Sequence, residues 1–419
     1  MRNSLINIST CLLYLLPLAI VTGPFLPDLF ICIIGISFLI ISIRDRLSKY
    51  YKNYFCYFFT IFYIYLLIAS LHSDYIFHSI ESVFFYFRFG IFSLAVWFLI
   101  DTNKNLIKNF TKIFLILFLI SIIDGYYQFF LDQSIFGFSS PGTRLNLILN
   151  DDRILGGYLS RLFPFLLGLL IFTYHKASFK TLIFAMILII SIDLLIYLSG
   201  ERTALGLLIL SIFLLMMLLS KYKKIRIITL IISIFIIVIV SYKYDHVRER
   251  NIDHTISQIS GGTTGTVGNK LLLFSATHHS LYITSWRIFL DNPLTGSGPN
   301  TFRLICNNQK YAFDNKSCST HPHNTYLQII SEIGIIGLLF ILLILSYITV
   351  QIFKHIMSRK NYSSSIIRLS DYQICLIISF ILTLFPLLPT QNFFNNWINV
   401  IYFFPVGFYL HSINISKSK

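Results

Sequence analysis

The chain has 419 residues, of which 55% are hydrophobic, 16% aromatic and only 12% charged, and its net charge is +15. A soluble domain carries about 25% charged residues, so half that share at this length excludes a soluble enzyme, a disordered chain and a coiled coil. A mean hydropathy of +0.72 and apolar runs recurring from end to end point to an all-α polytopic membrane protein, whose basic excess concerns the lipid bilayer rather than nucleic acid.

Crossing the hydrocarbon core takes about 20 predominantly apolar residues, and about twelve stretches meet that requirement. They run over 5–23, 25–43, 54–71, 82–100, 109–131, 154–173, 179–198, 203–220, 226–242, 325–352, 371–389 and 396–413. The first lacks a small-residue cleavage site behind a short apolar core and reads as a retained helix, not a signal peptide.

Alternate connectors differ in charge. One set holds Arg44, Arg46, Lys49 and Lys52, then Lys104 and Lys108, Lys176 and Lys180, Lys221, Lys223, Lys224 and Arg226, and Lys354, Arg359, Lys360 and Arg368. Arg2, Lys417 and Lys419 add to it at the termini. The short connectors of the other set hold only Arg144, Arg153 and Arg202. Basic residues mark the cytoplasmic side, so both termini are expected inside, as an even number of spans requires.

One outer connector, 243–324, is long and polar, and divides the chain into 1–242, 243–324 and 325–419. Within it Gly261-Gly262-Thr263-Thr264-Gly265 reads as a flexible loop. Residues 279–291 read as an amphipathic helix ending at Asn292-Pro293. Cys11, Cys32, Cys56 and Cys375 fall in apolar runs and read as small hydrophobes. Cys306 and Cys318 share the large connector with eleven residues between them, so either a disulfide, gaining about 3 kcal/mol from loop closure, or two unpaired thiols is open. No Cys/His spacing for a metal is present, and His321 with His323 alone is too few for zinc.

Polar chemistry collects on the outer side. Arg202 lies in Ser199-Gly200-Glu201-Arg202-Thr203, a short turn between two apolar helices, where it could snorkel, pair with Glu201 or bind a ligand. Arg88 and Arg161 each lie about two turns inside a span, where a cation needs a partner or a wet cavity. With Arg153 and Arg202 they would line a basic cavity suited to a diphosphate. The densest group is Ser319-Thr320-His321-Pro322-His323-Asn324, which leads into the tenth span. Imidazoles beside a helix N-terminus are held neutral by its dipole and can take a proton from a hydroxyl; two exposed loop histidines are the plainer alternative. Asn324 is placed to cap that helix. Glu332, about 13 Å further down it, needs a partner that a basic cavity would supply.

Three segments together resemble the O-antigen ligase and polymerase superfamily: Ser199-Gly200-Glu201-Arg202-Thr203-Ala204, Asn292-Pro293-Leu294-Thr295-Gly296-Ser297-Gly298-Pro299, and His321-Pro322-His323-Asn324 followed by Glu332-Ile333-Gly334. Their order, sidedness and loop length match that pattern, and the stretch from Thr301 through Cys306 and Cys318 to Asn324 is similar to the lipid A-core:surface polymer ligase type. The resemblance implies a GT-C-like architecture in a bacterial inner membrane. It implies a metal-independent, inverting transfer on the periplasmic face, without a cofactor, of a glycan from undecaprenyl diphosphate to a sugar hydroxyl of lipid A-core. By position Arg202 would bind the donor diphosphate, with Arg153 as a further arginine, and His323 would act on the acceptor hydroxyl.

The sequence departs from the pattern at one place. Many ligases carry an arginine fifteen residues before the Pro-Leu-x-Gly element; here that position is His278, with His279 beside it. Either a histidine makes the phosphate contact or Arg287 or Arg303 replaces it. A charged histidine there would make donor binding weaken as pH rises past about 6.5. The rival readings are an O-antigen polymerase extending lipid-linked units, a flippase or transporter, and a non-catalytic scaffold. Unequal halves and polar residues gathered on one face disfavour the transporter.

Overall fold

A computed structural model describes residues 1–139, 144–149, 152–175, 178–259, 275–360 and 368–417. The Gly261–Gly265 stretch, Lys176 and Lys419 lie outside them. Among the described residues the chain is all-helical, with one isolated bridge between Gln133 and Ser139. The first half forms α1 (Arg2–Ile20), α2 (Phe25–Arg44), α3 (Tyr54–Leu71), α4 (Ile76–Val83), α5 (Phe87–Thr102) and α6 (Leu106–Leu131). It continues with α7 (Leu155–Thr173), α8 (Phe179–Leu198), α9 (Arg202–Leu218) and α10 (Lys223–Lys243). The large connector holds α11 (Asp245–Arg248), α12 (His254–Ile259), α13 (Ala276–Asp291) and α14 (Phe302–Ile305), and the chain ends with α15 (Thr325–Lys360), α16 (Asp371–Thr383) and α17 (Asn396–Lys417).

Counting α4 and α5 together as Ile76–Thr102, ten of the described helical stretches are long and apolar enough to cross a membrane, while Arg202–Leu218 and Asp371–Thr383 are apolar but shorter. The chain is therefore a multi-pass membrane protein. The stretch expected to span 371–389 is helical only to Thr383. Asn53, Ser178 and Ser370 start α3, α8 and α16 by accepting the N–H three residues on. Pro17, Pro164 and Pro405 lie inside α1, α7 and α17, where neighbouring helices can satisfy the carbonyl a proline leaves open.

One apolar core runs from Leu13 in α1 to Tyr409 in α17, so the two helical blocks on either side of the connector share it. At its centre Phe165 meets Phe408 edge to face at 5.0 Å, and Phe110 approaches Phe408 at 5.3 Å, locking α6 and α7 to α17. Ile36 and Ile43 on α2 and Ile61, Ile64 and Ile68 on α3 are exposed, as lipid-facing side chains are.

Two sequence expectations are corrected. Arg226 is not a connector charge: its guanidinium forks onto Asp193 of α8 at 2.7 and 3.0 Å, and both side chains are 2% exposed. A cation of this kind belongs to packing, not to the topology signal. The second concerns the span at 325–352, which is not continuous. Ile333 and Gly334 leave helical geometry, Gly334 at φ +66°, and the 293–298 segment is spliced into the gap. Ser297 N–H donates to Ser331 O at 2.9 Å, Gly298 N–H to Glu332 O at 2.8 Å, and Ile335 N–H to Pro293 O at 2.9 Å. A side chain at Gly334 would run into the Leu294 carbonyl. Broken helices survive at membrane depth when another segment takes up the freed backbone groups; this one does so through the Pro-Leu-Thr-Gly-Ser-Gly element.

Candidate active site

The site lies where the first turn of α15 meets the segment joining α16 to α17. Asn324 caps α15, its Oδ1 accepting the N–H groups of Tyr326 and Leu327 at 3.0 and 3.1 Å, while its Nδ2 donates to Pro386 O. Thr390 N–H donates to His323 O at 2.9 Å, and Thr325 Oγ1 donates to Thr390 Oγ1 at 2.8 Å. Tyr326 adds a hydroxyl bond to the Leu384 carbonyl. Held this way, His323 takes a left-handed backbone, φ +57°. Non-glycine residues adopt that conformation at a cost, and it tends to mark functional positions.

The turn brings the imidazoles together. His321 and His323 have ring centroids 4.1 Å apart, and His278 of α13 stands 5.6 Å from His323. His321 Nε2 lies 3.1 Å from the Thr390 carbonyl, which can only accept, so that nitrogen carries the proton; Nδ1 then takes the Thr320 hydroxyl at 3.0 Å. Both its nitrogens are engaged. Among the described residues the His323 ring makes one hydrogen bond, Nε2 to Ser319 Oγ at 3.4 Å, which leaves Nδ1 open. Burial first, then the charge of a protonated His323, holds His321 down at about 4, and burial, His323 and Arg202 hold His278 at about 4. Burial also lowers His323. All three are neutral at pH 7, and the expected loss of a His278 charge near pH 6.5 has no place here.

A basic group adjoins them. Arg202 opens α9 and is close enough to His278 to depress it. An Arg202–Glu201 pair does not occur among the described ion pairs; the Glu201 carboxylate turns to the start of α7, accepting Gly156 N–H at 2.6 Å and Gly157 N–H at 3.2 Å. Burial raises Glu201 to about 7, against the pull of those N–H groups and of Arg161 and Arg144. Arg250, in the π-helical turn Glu249–Asp253, donates to Gly200 O at 2.7 Å. It is held below the usual arginine range by burial and then by the charges of Arg144 and Arg202. Arg144 is carried by the 144–149 segment, which a buried network fixes: Gln128 bonds both Asn146 N–H and O, and Asp124 bonds Gln128, Ser134 and Ile135 N–H.

The other sequence candidates scatter. Arg161 joins this group, its guanidinium bonded to Gly157 O at 3.1 Å. Arg88 does not: its Nε lies 2.7 Å from Asp28 Oδ1 and its guanidinium covers Phe89, so it ties α5 to α2. Arg153 is exposed, without a contact to the cluster among the described residues. His279 packs on Phe313, and Arg287 bonds Ala312 O at 2.7 Å, so both serve the 311–313 turn. Arg303 is exposed on α14, its charge reaching His321 and Glu332. Glu332 is buried, and the partner expected from a basic cavity is instead Phe302 N–H at 2.9 Å with Gln328 Nε2 at 2.9 Å. It braces the splice. Cys306 and Cys318 are joined, Cα atoms 4.9 Å apart, beside a small core of Leu281, Ile288 and Phe302.

Arg144 and Arg250 are not marked as site residues by any motif in the sequence; only packing brings each to Arg202. Among the described residues no three His, Cys, Asp or Glu side chains converge as a metal site needs. A neutral imidazole with an open nitrogen beside clustered arginines can take a proton from a hydroxyl while an anion is held nearby. Residues 184–342 match the model of a family described as O-antigen ligase, a stretch that includes Arg202, Arg250, His278 and His323. No curated protein matches the chain.

Proposed function

Because residues 184–342 match a family described as O-antigen ligase, we propose that the chain transfers a glycan from undecaprenyl diphosphate to a sugar hydroxyl of lipid A-core, at the periplasmic face of a bacterial inner membrane. The observation that carries this reading is the open Nδ1 of His323 beside the Arg202 group, with His278 between them. The acceptor oxygen attacks the anomeric carbon from the face opposite the diphosphate and inverts it. The bond from that carbon to the diphosphate oxygen breaks, and the diphosphate leaves with the electron pair. The acceptor proton passes to His323, worth about 10²–10⁴ in rate for a well-placed base.

Arg202, Arg144 and Arg250, with Arg161 behind Glu201, would stabilise the charge gathering on the leaving diphosphate. In this reading the arginines supply the charge a divalent metal would otherwise bring. His278 serves as a neutral hydrogen-bonding group, so the missing second arginine is made good by Arg250 and Arg144. Transfer by the purified chain from a lipid-diphosphate glycan, offered lipid A-core and a second lipid-linked unit in parallel, tests it. Product on lipid A-core alone supports the ligase; product on the lipid-linked unit alone makes the chain a polymerase. Transbilayer movement of the donor without a glycosidic bond would overturn transfer altogether.

A further inference from the structure

The large connector is the most polar part of the chain, yet it exposes a patch of large apolar side chains. On one side of α13 Leu281 and Ile288 pack into the small core with Phe302 and Cys306. Another side presents Trp286, 49% exposed, and Leu290, 61% exposed, and just past the helix end Leu294 is 64% exposed.

The splice into α15 fixes the height of this patch. Ile335 N–H donates to Pro293 O at 2.9 Å, and Tyr65 of α3 donates to Ile333 O at 2.5 Å with Leu294 O at 3.4 Å, so Leu294 stands level with the helix break. From Ile335 to Phe353 the sequence has no charged residue, which at 1.5 Å per residue is about 28 Å of helix, close to the hydrocarbon thickness of about 30 Å. The hydrocarbon boundary therefore falls near Ile335, and Leu294 lies on it. Below it Leu339 and Leu343 of α15 are exposed in the manner of lipid-facing residues, and Ile64 and Ile68 of α3 are exposed beside the break itself. Leu294 joins that belt to Trp286 and Leu290 of the α13 patch above it. Tryptophan favours this zone, where its ring meets acyl chains and headgroups together.

We infer that the C-terminal half of α13 is an interfacial helix, with Trp286, Leu290 and Leu294 inserted into the leaflet nearest the large connector. Its occupant is the bilayer itself, and the assignment holds whatever reaction the site performs. The charged side chains beside it stay in water: Arg287 bonds Ala312 O, and Asp291 pairs with Lys310 at 2.6 Å.

The chain has three tryptophans, and Trp97 and Trp397 are buried, so Trp286 is the natural reporter. A variant with Trp97→Phe and Trp397→Phe is reconstituted in phosphatidylcholine/phosphatidylglycerol vesicles with and without dibrominated acyl chains. The expected result is blue-shifted emission that is lost on brominated lipid and untouched by aqueous iodide. Quenching by iodide with no loss on brominated lipid would overturn the inference, as would protection from both, which would mean that protein covers the patch. If the double variant does not fold, the emission difference between the wild-type chain and Trp286→Phe supplies the same reading.

Discussion

The Glu201 carboxylate accepts the N–H of Gly156 at 2.6 Å, which fastens the turn carrying Arg202 to the first residues of α7. Arg250 holds the same turn from the other side through Gly200 O. Glu201 is thus a positioning residue that also sets the charge beside Arg144, Arg161 and Arg250. Burial raises it to about 7. Below that pH the carboxyl is neutral and the arginines stand uncompensated; above it the carboxylate returns and repels an anionic donor. Donor KM should therefore rise from pH 6 to pH 8, by roughly fivefold if one charge contributes about 1 kcal/mol. Glu201→Gln should flatten that rise. A Gln variant whose donor KM keeps the wild-type pH profile would assign the dependence to another group.

Close packing of the same contact makes a second expectation. A Cβ at Gly156 would collide with the Ser199 side chain and stand 3.0 Å from Glu201 Oε1. Gly156→Ala should cost about 1–3 kcal/mol by overpacking, more than the roughly 1 kcal/mol alanine gains in helix propensity. Its transfer rate should fall with the displaced Arg202 turn. Gly35→Ala is the control, since its Cβ would come no closer than 3.4 Å to Ile91. Melting curves in detergent compare the two, and equal melting points would show that the Glu201 contact yields easily.

Base and backbone strain at His323 can be separated. His323→Ala removes the imidazole and should lower transfer by about 10²–10⁴. His323→Gly removes it too but suits φ +57°, relieving about 1 kcal/mol. The Gly variant should melt at or above the wild-type temperature and be as inactive as the Ala variant. His321→Asn, which can still bond the Thr390 carbonyl, should keep more activity than either. Wild-type transfer by His323→Gly would remove the histidine from the mechanism.

Much of the site is legible in the sequence because its polar residues interrupt apolar runs as contiguous words. Ser199–Thr203 is such an interruption and Ser319–Asn324 stands at the edge of one such run, and the structure brings them together through His278. Single residues are harder to read. Arg144 and Arg250 carry no local pattern, and their place depends on packing between segments far apart in the chain. A usable signal was present nearby: Asp124 and Gln128 lie one turn apart in an apolar run, and acids at such depth imply a partner. That partner is the segment bearing Arg144. The break in α15 is not legible because Ile333-Gly334 opens an apolar stretch that runs on to Phe353. Hydropathy there cannot tell a helix from two helices joined by a splice.

Arg226 shows the same limit and gives the last expectation. Counting it with Lys221, Lys223 and Lys224 follows the positive-inside rule, but Asp193, alone in an apolar helix, is the residue that claims it. Ser233 Oγ adds a third bond to the carboxylate at 2.9 Å. Arg226→Ala leaves that carboxylate buried without its cation and should cost about 3–5 kcal/mol. α10 leads directly to the turn bearing Arg250, so donor binding should weaken with it. Replacing the pair together, Asp193→Leu with Arg226→Met, removes both charges and should regain most of the lost stability, because apolar pairs of similar volume often match a buried ion pair. Thermal melting of the two variants decides it: a double variant no more stable than Arg226→Ala would mean that the hydrogen bonds of Asp193, not the burial of its charge, hold α8 to α10.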